Sequence, residues 1–213
     1  MSRLQGVLCD MDGTLVDTEP YWEASKLELM ARHDLPFTAA EAATLVGKSM
    51  MFTVHYLQEA GLPLSDEEVL DALVDDVAER VQQHMPWLPG AREFLRTMHD
   101  EGVPCALVTQ GWPKIAQQIV SAADGTLQTM VTGNEVAHPK PHPEPYLTAA
   151  SRLGVDIAHC IAIEDSPSGV ESAATAGATV IVLPGVHAVP EGPRRIRRDS
   201  LIGLNRAALE ALL

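Results

Sequence analysis

Two carboxylates follow the first apolar run of the chain, and their spacing lets them act together. Asp10 and Asp12 come directly after Gly6–Cys9, and Gly13 follows them. Residues i and i+2 of an extended strand face the same side, so both acids can reach one ligand once the chain turns at the glycine. One carboxylate can accept a phosphoryl group while the other carries a proton. The pair therefore suits phosphoryl transfer.

Other polar residues lie at or near the ends of later apolar runs: Thr109, Gln110, Gly111, Lys140, Glu164 and Asp165. The carboxyl ends of parallel strands meet at one edge of an open sheet, so we expect a single site there. Four carboxylates at one edge repel one another unless a cation joins them, and hard oxygen ligands suit Mg²⁺. Lys140 would add positive charge, and Thr109 with the backbone N–H groups of the following turn would donate to phosphate.

Short β-branched runs alternate with helical patterns along most of the chain. The runs that we predict to be buried parallel strands are residues 5–10, 103–109, 128–132, 160–165 and 179–183. Helical patterns lie between them, at residues 90–100, 113–123, 143–153 and 168–176. The alternation predicts an α/β fold with a doubly wound, Rossmann-like parallel sheet.

Residues 17–85 show helical periodicity and no strand pattern. Apolar residues recur at helical spacing between Val69 and Val81, with acids on the other face. We therefore predict an α/β core formed by residues 1–16 and 86–213, interrupted by a helical domain at residues 17–85. This insertion has fourteen acids and four bases, so it carries ten of the chain's fourteen net negative charges. We interpret that charge as a solvated surface.

The remaining chain is less regular. Residues 184–199, which carry four arginines, are expected to form a surface loop, and residues 205–213 a short closing helix. Ser166 is expected to cap the helix after the strand at 160–165 and to steer the two acids before it.

Composition excludes some classes of protein. The net charge of −14 and pI near 4.8 argue against nucleic-acid binding. Three unpaired cysteines in apolar runs favour a reducing cytoplasm, and the early first strand leaves no room for a signal peptide. No run of 18 apolar residues exists to span a membrane. We expect a monomeric cytoplasmic protein without a nucleic-acid or membrane partner.

The polar residues also match a known family. Asp10-x-Asp12-Gly13-Thr14, Thr109, Lys140 and the pair at 164–165 match, in order, the four motifs of the haloacid dehalogenase superfamily. The resemblance covers essentially the full chain, and the insertion resembles the C1 cap of that superfamily. Within the superfamily, the chain resembles the branch of beta-phosphoglucomutase-like phosphatases.

The resemblance implies a role for each matching residue. Asp10 would become an aspartyl phosphate, and Asp12 would protonate the leaving oxygen and then activate water. Thr109 would bind the transferring phosphoryl group, and Lys140 would hold it together with Asp10. The Mg²⁺ ligands that the resemblance implies are Asp10, Asp12 through its backbone carbonyl, Asp165, and Glu164 directly or through water.

Substrate contacts are expected from the cap and from the turn after the second strand. The predicted substrate-binding residues are Thr18, Trp22, Gly47, Lys48, Gln110 and Gly111. Gln110 replaces the Asn or small residue of many relatives and could reach toward the substrate. Trp22 suits a place in the cap core and packing on a sugar ring equally well.

Hydrolysis of a small phosphomonoester, a sugar or polyol phosphate, is the first functional hypothesis. The beta-phosphoglucomutase family grips a second phosphate with Lys-Gly-x-Ser-Arg, where this chain has Val46-Gly47-Lys48-Ser49-Met50. The two flanking cations are replaced by apolar residues, which disfavours a bisphosphate. A sugar-phosphate mutase stays the alternative, and a non-catalytic phosphate- or metal-binding module is the third hypothesis.

Two histidines flank the predicted catalytic lysine. His138 and His142 are four residues apart, a spacing that would suit a metal site on a helix. Three prolines in the same stretch exclude a regular helix, so we favour a loop role over a metal site.

Overall fold

The structure, a computed structural model, describes residues 4–213. The chain divides into two compact units. The first unit combines the residues up to Asp17 with Pro86–Leu213, and the second is Thr18–Met85. All regular elements within residues 18–85, a stretch that is described throughout, are helices.

The first unit is built on a six-stranded parallel sheet. Its strands are β1 (Gly6–Cys9), β2 (Cys105–Val108), β3 (Leu127–Val131), β4 (Cys160–Glu164), β5 (Thr179–Val182) and β6 (Arg195–Arg197). They lie in the order β3-β2-β1-β4-β5-β6, and every neighbouring pair is parallel. The strand order reverses at β1, and the crevice at the carboxyl ends of strands around such a point binds ligands. The predicted α/β class is confirmed.

The second unit contains α1 (Glu19–Arg32), α2 (Ala39–Thr44), α3 (Met50–Glu59) and α4 (Asp66–Gln83). Ser65 begins α4 with a capping box, in which its hydroxyl accepts from the N–H of Glu68 and the Glu68 carboxylate accepts from the N–H of Ser65. The apolar face predicted from the spacing between 69 and 81 is buried. From this face, Val69 and Leu73 join a cluster with Leu29, Met30, Val54 and Leu57.

The described part of the first unit has five α-helices, of which the first four pack on the sheet. They are α5 (Ala91–Asp100), α6 (Pro113–Ala122), α7 (Glu144–Leu153), α8 (Pro167–Ala176) and α9 (Arg206–Glu210). Leu8, Ala106 and Ala162 from three strands join one buried cluster with Tyr146 of α7 and Val170 of α8. Alternate strand residues face the other side of the sheet. The strand and helix positions predicted from the alternation are thus confirmed, and α9 confirms the closing helix.

The insertion begins and ends at neighbouring backbone positions of the first unit. The N–H of Asp17 donates to the carbonyl oxygen of Pro86 at 3.0 Å. Val16 also pairs with Trp87 in an isolated antiparallel bridge. The segment that leads into the insertion and the segment that leads out of it therefore lie side by side.

The prediction of a surface loop at residues 184–199 is wrong for Arg195–Arg197, which form β6. Arg195–Arg197 pair with β5, where Ile196 lies opposite Ile181. A three-residue Arg-Ile-Arg strand carries too few apolar residues to be recognised, and charged residues are common on edge strands. Within residues 4–213, no helix is long and apolar enough to cross a membrane. The three cysteines are buried and unpaired.

Replacing Leu73 by alanine should lower the free energy of unfolding by about 2–4 kcal/mol, because its side chain is fully buried in the cluster of the second unit. Urea denaturation measures this loss. Met51→Ala is the control from the same unit, since Met51 is 41% exposed and should change stability by less than about 0.5 kcal/mol. Equal losses in the two variants would contradict the assignment of this core.

Candidate active site

A buried ammonium group lies at the centre of the site. Lys140 is only 6% exposed, and its Nζ donates to Asp10 Oδ1 and Glu164 Oε1, each at 2.6 Å, and to the carbonyl oxygen of Val108 at 2.9 Å. Three acceptors thus satisfy the three ammonium hydrogens. Burial alone would lower the pKa of Lys140, but the two carboxylates raise it above its ordinary value, so the lysine stays charged.

Glu164, at the end of β4, is fully buried and accepts hydrogen bonds on both oxygens. Its Oε1 accepts from Lys140 and from the Tyr146 hydroxyl at 2.8 Å. Its Oε2 accepts from the N–H groups of Asp165 and Ser166, each at 3.2 Å, and from the Ser166 hydroxyl at 3.0 Å. Burial and the charge of Glu164 raise the pKa of Tyr146, so its hydroxyl stays protonated and donates.

Ser166 links the acids to the following helix. Its Oγ accepts from the N–H of Gly169 at 3.1 Å and so caps α8. The same hydroxyl donates to Glu164. The expected helix cap is therefore confirmed, and the expected orientation of the acids is seen for Glu164.

Asp165 lies against two glycines. A Cβ atom on Gly13 would overlap its carboxylate, and one on Gly185 would come within 2.8 Å of Asp165 Oδ2. Gly13 also has a φ of +76°, a conformation that favours glycine. Burial, with a further contribution from Glu164, raises the pKa of Asp165 to about 6. The missing side chains at both glycines therefore make room for a partly desolvated carboxylate.

The donor set fits a hard divalent cation. Ligand oxygens of Asp10, Glu164 and Asp165 lie within 4.8 Å of one another. The three acids outnumber the one lysine, and burial and Glu164 raise the pKa of Asp10 despite the opposing effect of Lys140. Oxygen ligands and excess negative charge are what Mg²⁺ requires. Among the described residues, the side chain of Asp12 is not part of this group, and its role as a ligand through the backbone carbonyl stays a prediction.

Thr109 and Gly111 form a tight turn beside Asp12. The N–H of Gly111 donates to Thr109 Oγ1 at 2.8 Å, so a phosphate would compete with Thr109 for this N–H. A Cβ on Gly111 would lie 2.5 Å from Met11 Cε and 3.6 Å from Asp12 Oδ2. Asp12 itself is exposed. The first two motifs therefore meet directly in the structure.

Gln110 bonds to the loop that carries the lysine. Its side-chain nitrogen donates to the backbone carbonyl of Lys140 at 3.0 Å. This amide group is therefore engaged within the protein, and substrate binding by Gln110 stays a prediction.

The other predicted substrate-binding residues belong to the second unit. Thr18 precedes α1 and is buried, and Trp22 packs against the apolar cluster of this unit. Gly47 and Lys48 lie between α2 and α3, where Lys48 Nζ is 5.8 Å from the ring centre of Phe52. Their part in substrate binding stays a prediction.

Sequence reasoning missed Tyr146, Gly169 and Gly185. Tyr146 falls on the apolar face of α7 and looks like an ordinary core residue until the fold places it against Glu164. The two glycines matter because a side chain at either position would overlap one of the acids, Glu164 for Gly169 and Asp165 for Gly185. A single sequence holds no signal for such contacts.

Together, a doubly wound sheet with an inserted helical unit and an Asp–Lys–acid site at its switch point define a hydrolase of phosphate esters. The family model of haloacid dehalogenase-like hydrolases matches residues 7–183. The chain belongs to this family, which confirms the superfamily that the four motifs predicted. It is a phosphoric monoester hydrolase.

Individual relatives agree with this assignment. Hexitol phosphatase B of Escherichia coli K12 is 27% identical over 207 residues, which cover 92% of this chain and 90% of that protein. Hexitol phosphatase A of the same strain is 31% identical over 193 residues, 90% of this chain and 87% of that protein. CbbY from Rhodobacter sphaeroides, solved in complex with phosphate, shares the fold with a TM-score of 0.80 at 24% identity, over 97% of this chain and 99% of that one.

Gly169→Ala should reduce phosphate release by at least about 10²-fold, because the new Cβ would displace the Glu164 carboxylate and with it Lys140. A colorimetric phosphate assay measures the loss, and circular dichroism checks the fold. Gly6→Ala is the matched control, since its added Cβ would lie at an ordinary contact distance of 3.4 Å or more. Equal activity of the two variants would argue against positioning of Lys140 by Glu164.

Proposed function

We propose that the protein is a Mg²⁺-dependent phosphatase that hydrolyses a small phosphomonoester through an aspartyl phosphate on Asp10. The observation that carries this proposal is the buried contact of 2.6 Å between Lys140 and Asp10, beside a cluster of carboxylates. A lysine held this way can balance the charge of both the nucleophile and an incoming phosphate. A sugar or polyol phosphate is the proposed substrate class, supported by the hexitol phosphatases among the relatives.

In the first step, an oxygen of Asp10 attacks the phosphorus atom, and the bond from phosphorus to the ester oxygen breaks. Asp12 gives its proton to the departing oxygen, which leaves as an alcohol. Lys140 fixes the Asp10 carboxylate through Oδ1 and so limits its rotation. The Thr109 hydroxyl, anchored by the turn to Gly111, binds a phosphoryl oxygen.

In the second step, water attacks the phosphorus of the aspartyl phosphate. Asp12, now a carboxylate, takes a proton from that water. The bond from phosphorus to Asp10 breaks, inorganic phosphate leaves, and both aspartates return to their starting states. The exposed position of Asp12 allows it to exchange protons with the leaving alcohol and with water in turn.

Mg²⁺ would be held by Asp10 and Asp165, with the backbone carbonyl of Asp12. When bound, it neutralises charge on the phosphoryl oxygens. Glu164 already accepts five hydrogen bonds, so we assign it to outer-shell support and to orienting Lys140. Thr18, Trp22, Gly47 and Lys48 are proposed to select the substrate.

Asp10→Asn should lose phosphate release by more than about 10³-fold, as is usual when a nucleophile is removed. The fold should be kept, because an amide has nearly the same shape as the carboxylate. Stopped assays with a good substrate measure the loss. Asp100→Asn, an exposed change at the end of α5, should keep full activity. Full activity of Asp10→Asn would exclude the aspartyl phosphate.

Removal of divalent cations with a chelator should abolish phosphate release, and added Mg²⁺ should restore it, because the acids repel the substrate without a cation. A panel of sugar, polyol and other phosphomonoesters measures this and ranks the substrates. Isomerisation of a hexose phosphate, activated by a sugar bisphosphate and lost in Lys48→Ala, would identify a mutase instead. If no phosphomonoester releases phosphate and no isomerisation is seen, the hypothesis of a non-catalytic phosphate- or metal-binding module would be supported.

A further inference from the structure

A second cluster of metal-ligating side chains lies outside the acidic site. His138 and His142 are exposed on the loop before α7, and Glu144 begins that helix. The two imidazole rings have centres 4.5 Å apart. His138 Nδ1 lies 2.9 Å from Glu144 Oε2, and His142 Nδ1 lies 3.9 Å from the same oxygen. One ligand atom from each residue therefore falls within 4.8 Å of the other two.

The two distances from the histidines to Glu144 are close to those in a tetrahedral site. With metal bonds of roughly 2.1 Å to nitrogen and oxygen, ligand atoms at the tetrahedral angle lie about 3.4 Å apart. The observed 2.9 Å and 3.9 Å bracket that value, so small side-chain rotations would suffice. Exposure of the two histidine side chains, 65% and 50%, leaves room for water at a remaining position.

The loop is held in shape by its own hydrogen bonds. The carboxylate of Glu144 accepts from the N–H groups of Ala137 and His138, at 2.9 Å and 3.0 Å. The N–H of Glu144 donates to His142 Nδ1 at 3.2 Å, a contact that a metal at this nitrogen would replace. The three side chains are thus brought together before any ligand binds, which lowers the entropy cost of binding.

We propose that His138, His142 and Glu144 form a Zn²⁺ site that is separate from the acidic site. Two imidazoles and one carboxylate are a donor set that suits borderline ions such as Zn²⁺, whereas Mg²⁺ prefers oxygen alone. Lys140 lies midway between the two histidines in the chain. Zn²⁺ at this position ties the loop that carries Lys140 to the start of α7 and stabilises it.

The test is Zn²⁺ titration by calorimetry on protein without a histidine tag, in excess Mg²⁺ so that oxygen sites are saturated. The wild type should bind one Zn²⁺, and His138→Ala and His142→Ala should each weaken binding by at least about 10-fold. His55→Ala is the matched control. His55 also pairs with a carboxylate, at 3.6 Å from Asp66, but that pair includes a single histidine. This control should bind as the wild type does.

Two further readouts separate a defined site from loose surface binding. Co²⁺ in place of Zn²⁺ should give a visible d–d spectrum in the wild type that both loop variants lose. Zn²⁺ should also raise the Tm of the wild type and of His55→Ala, but not of the loop variants. Equal affinity in all variants, or equal loss in His55→Ala, would overturn the proposal. Because binding is measured without substrate, either result leaves the phosphatase proposal untouched.

Discussion

The burial of one ammonium group constrains the whole site. A charge removed from water is costly unless it is paired, and here Lys140 finds three acceptors while Glu164 finds a donor for each lone pair it presents. The acceptors come from the ends of β1, β2 and β4, so the pairing holds only if those strands keep their register. Positioning of Asp10 and integrity of the sheet edge are therefore the same requirement.

Spacing and strand ends made most of this site predictable. Parallel strands bring their carboxyl ends to one edge, so the acids, the threonine and the lysine could be grouped without coordinates. Prediction failed where a contact depends on packing between distant segments. Tyr146 has the helix phase of a core residue, and nothing local shows that its hydroxyl meets Glu164. Gln110 likewise bonds to a backbone carbonyl thirty residues away.

The loop around Lys140 shows a second limit of local reasoning. The prolines rightly exclude a helix between His138 and His142. Without a helix, a spacing of four residues no longer indicates that two side chains share one face and can bind a metal together. The irregular path nonetheless returns the two rings to within 4.5 Å and places both next to Glu144. Oxygen donors alone favour hard ions, whereas a set with two imidazoles favours borderline ions, so the two proposed sites would prefer different metals.

The paired crossings of the chain at Val16, Asp17, Pro86 and Trp87 bear on how such a protein can diversify. Because the insertion leaves and returns through adjacent positions, the core closes the same short loop whatever lies between them. The helical unit can therefore be lengthened, shortened or exchanged without a change in the strand order of the sheet. If the helical unit selects the substrate, as proposed above, one continuous stretch of gene carries that selection, and the core that carries Lys140 stays the same.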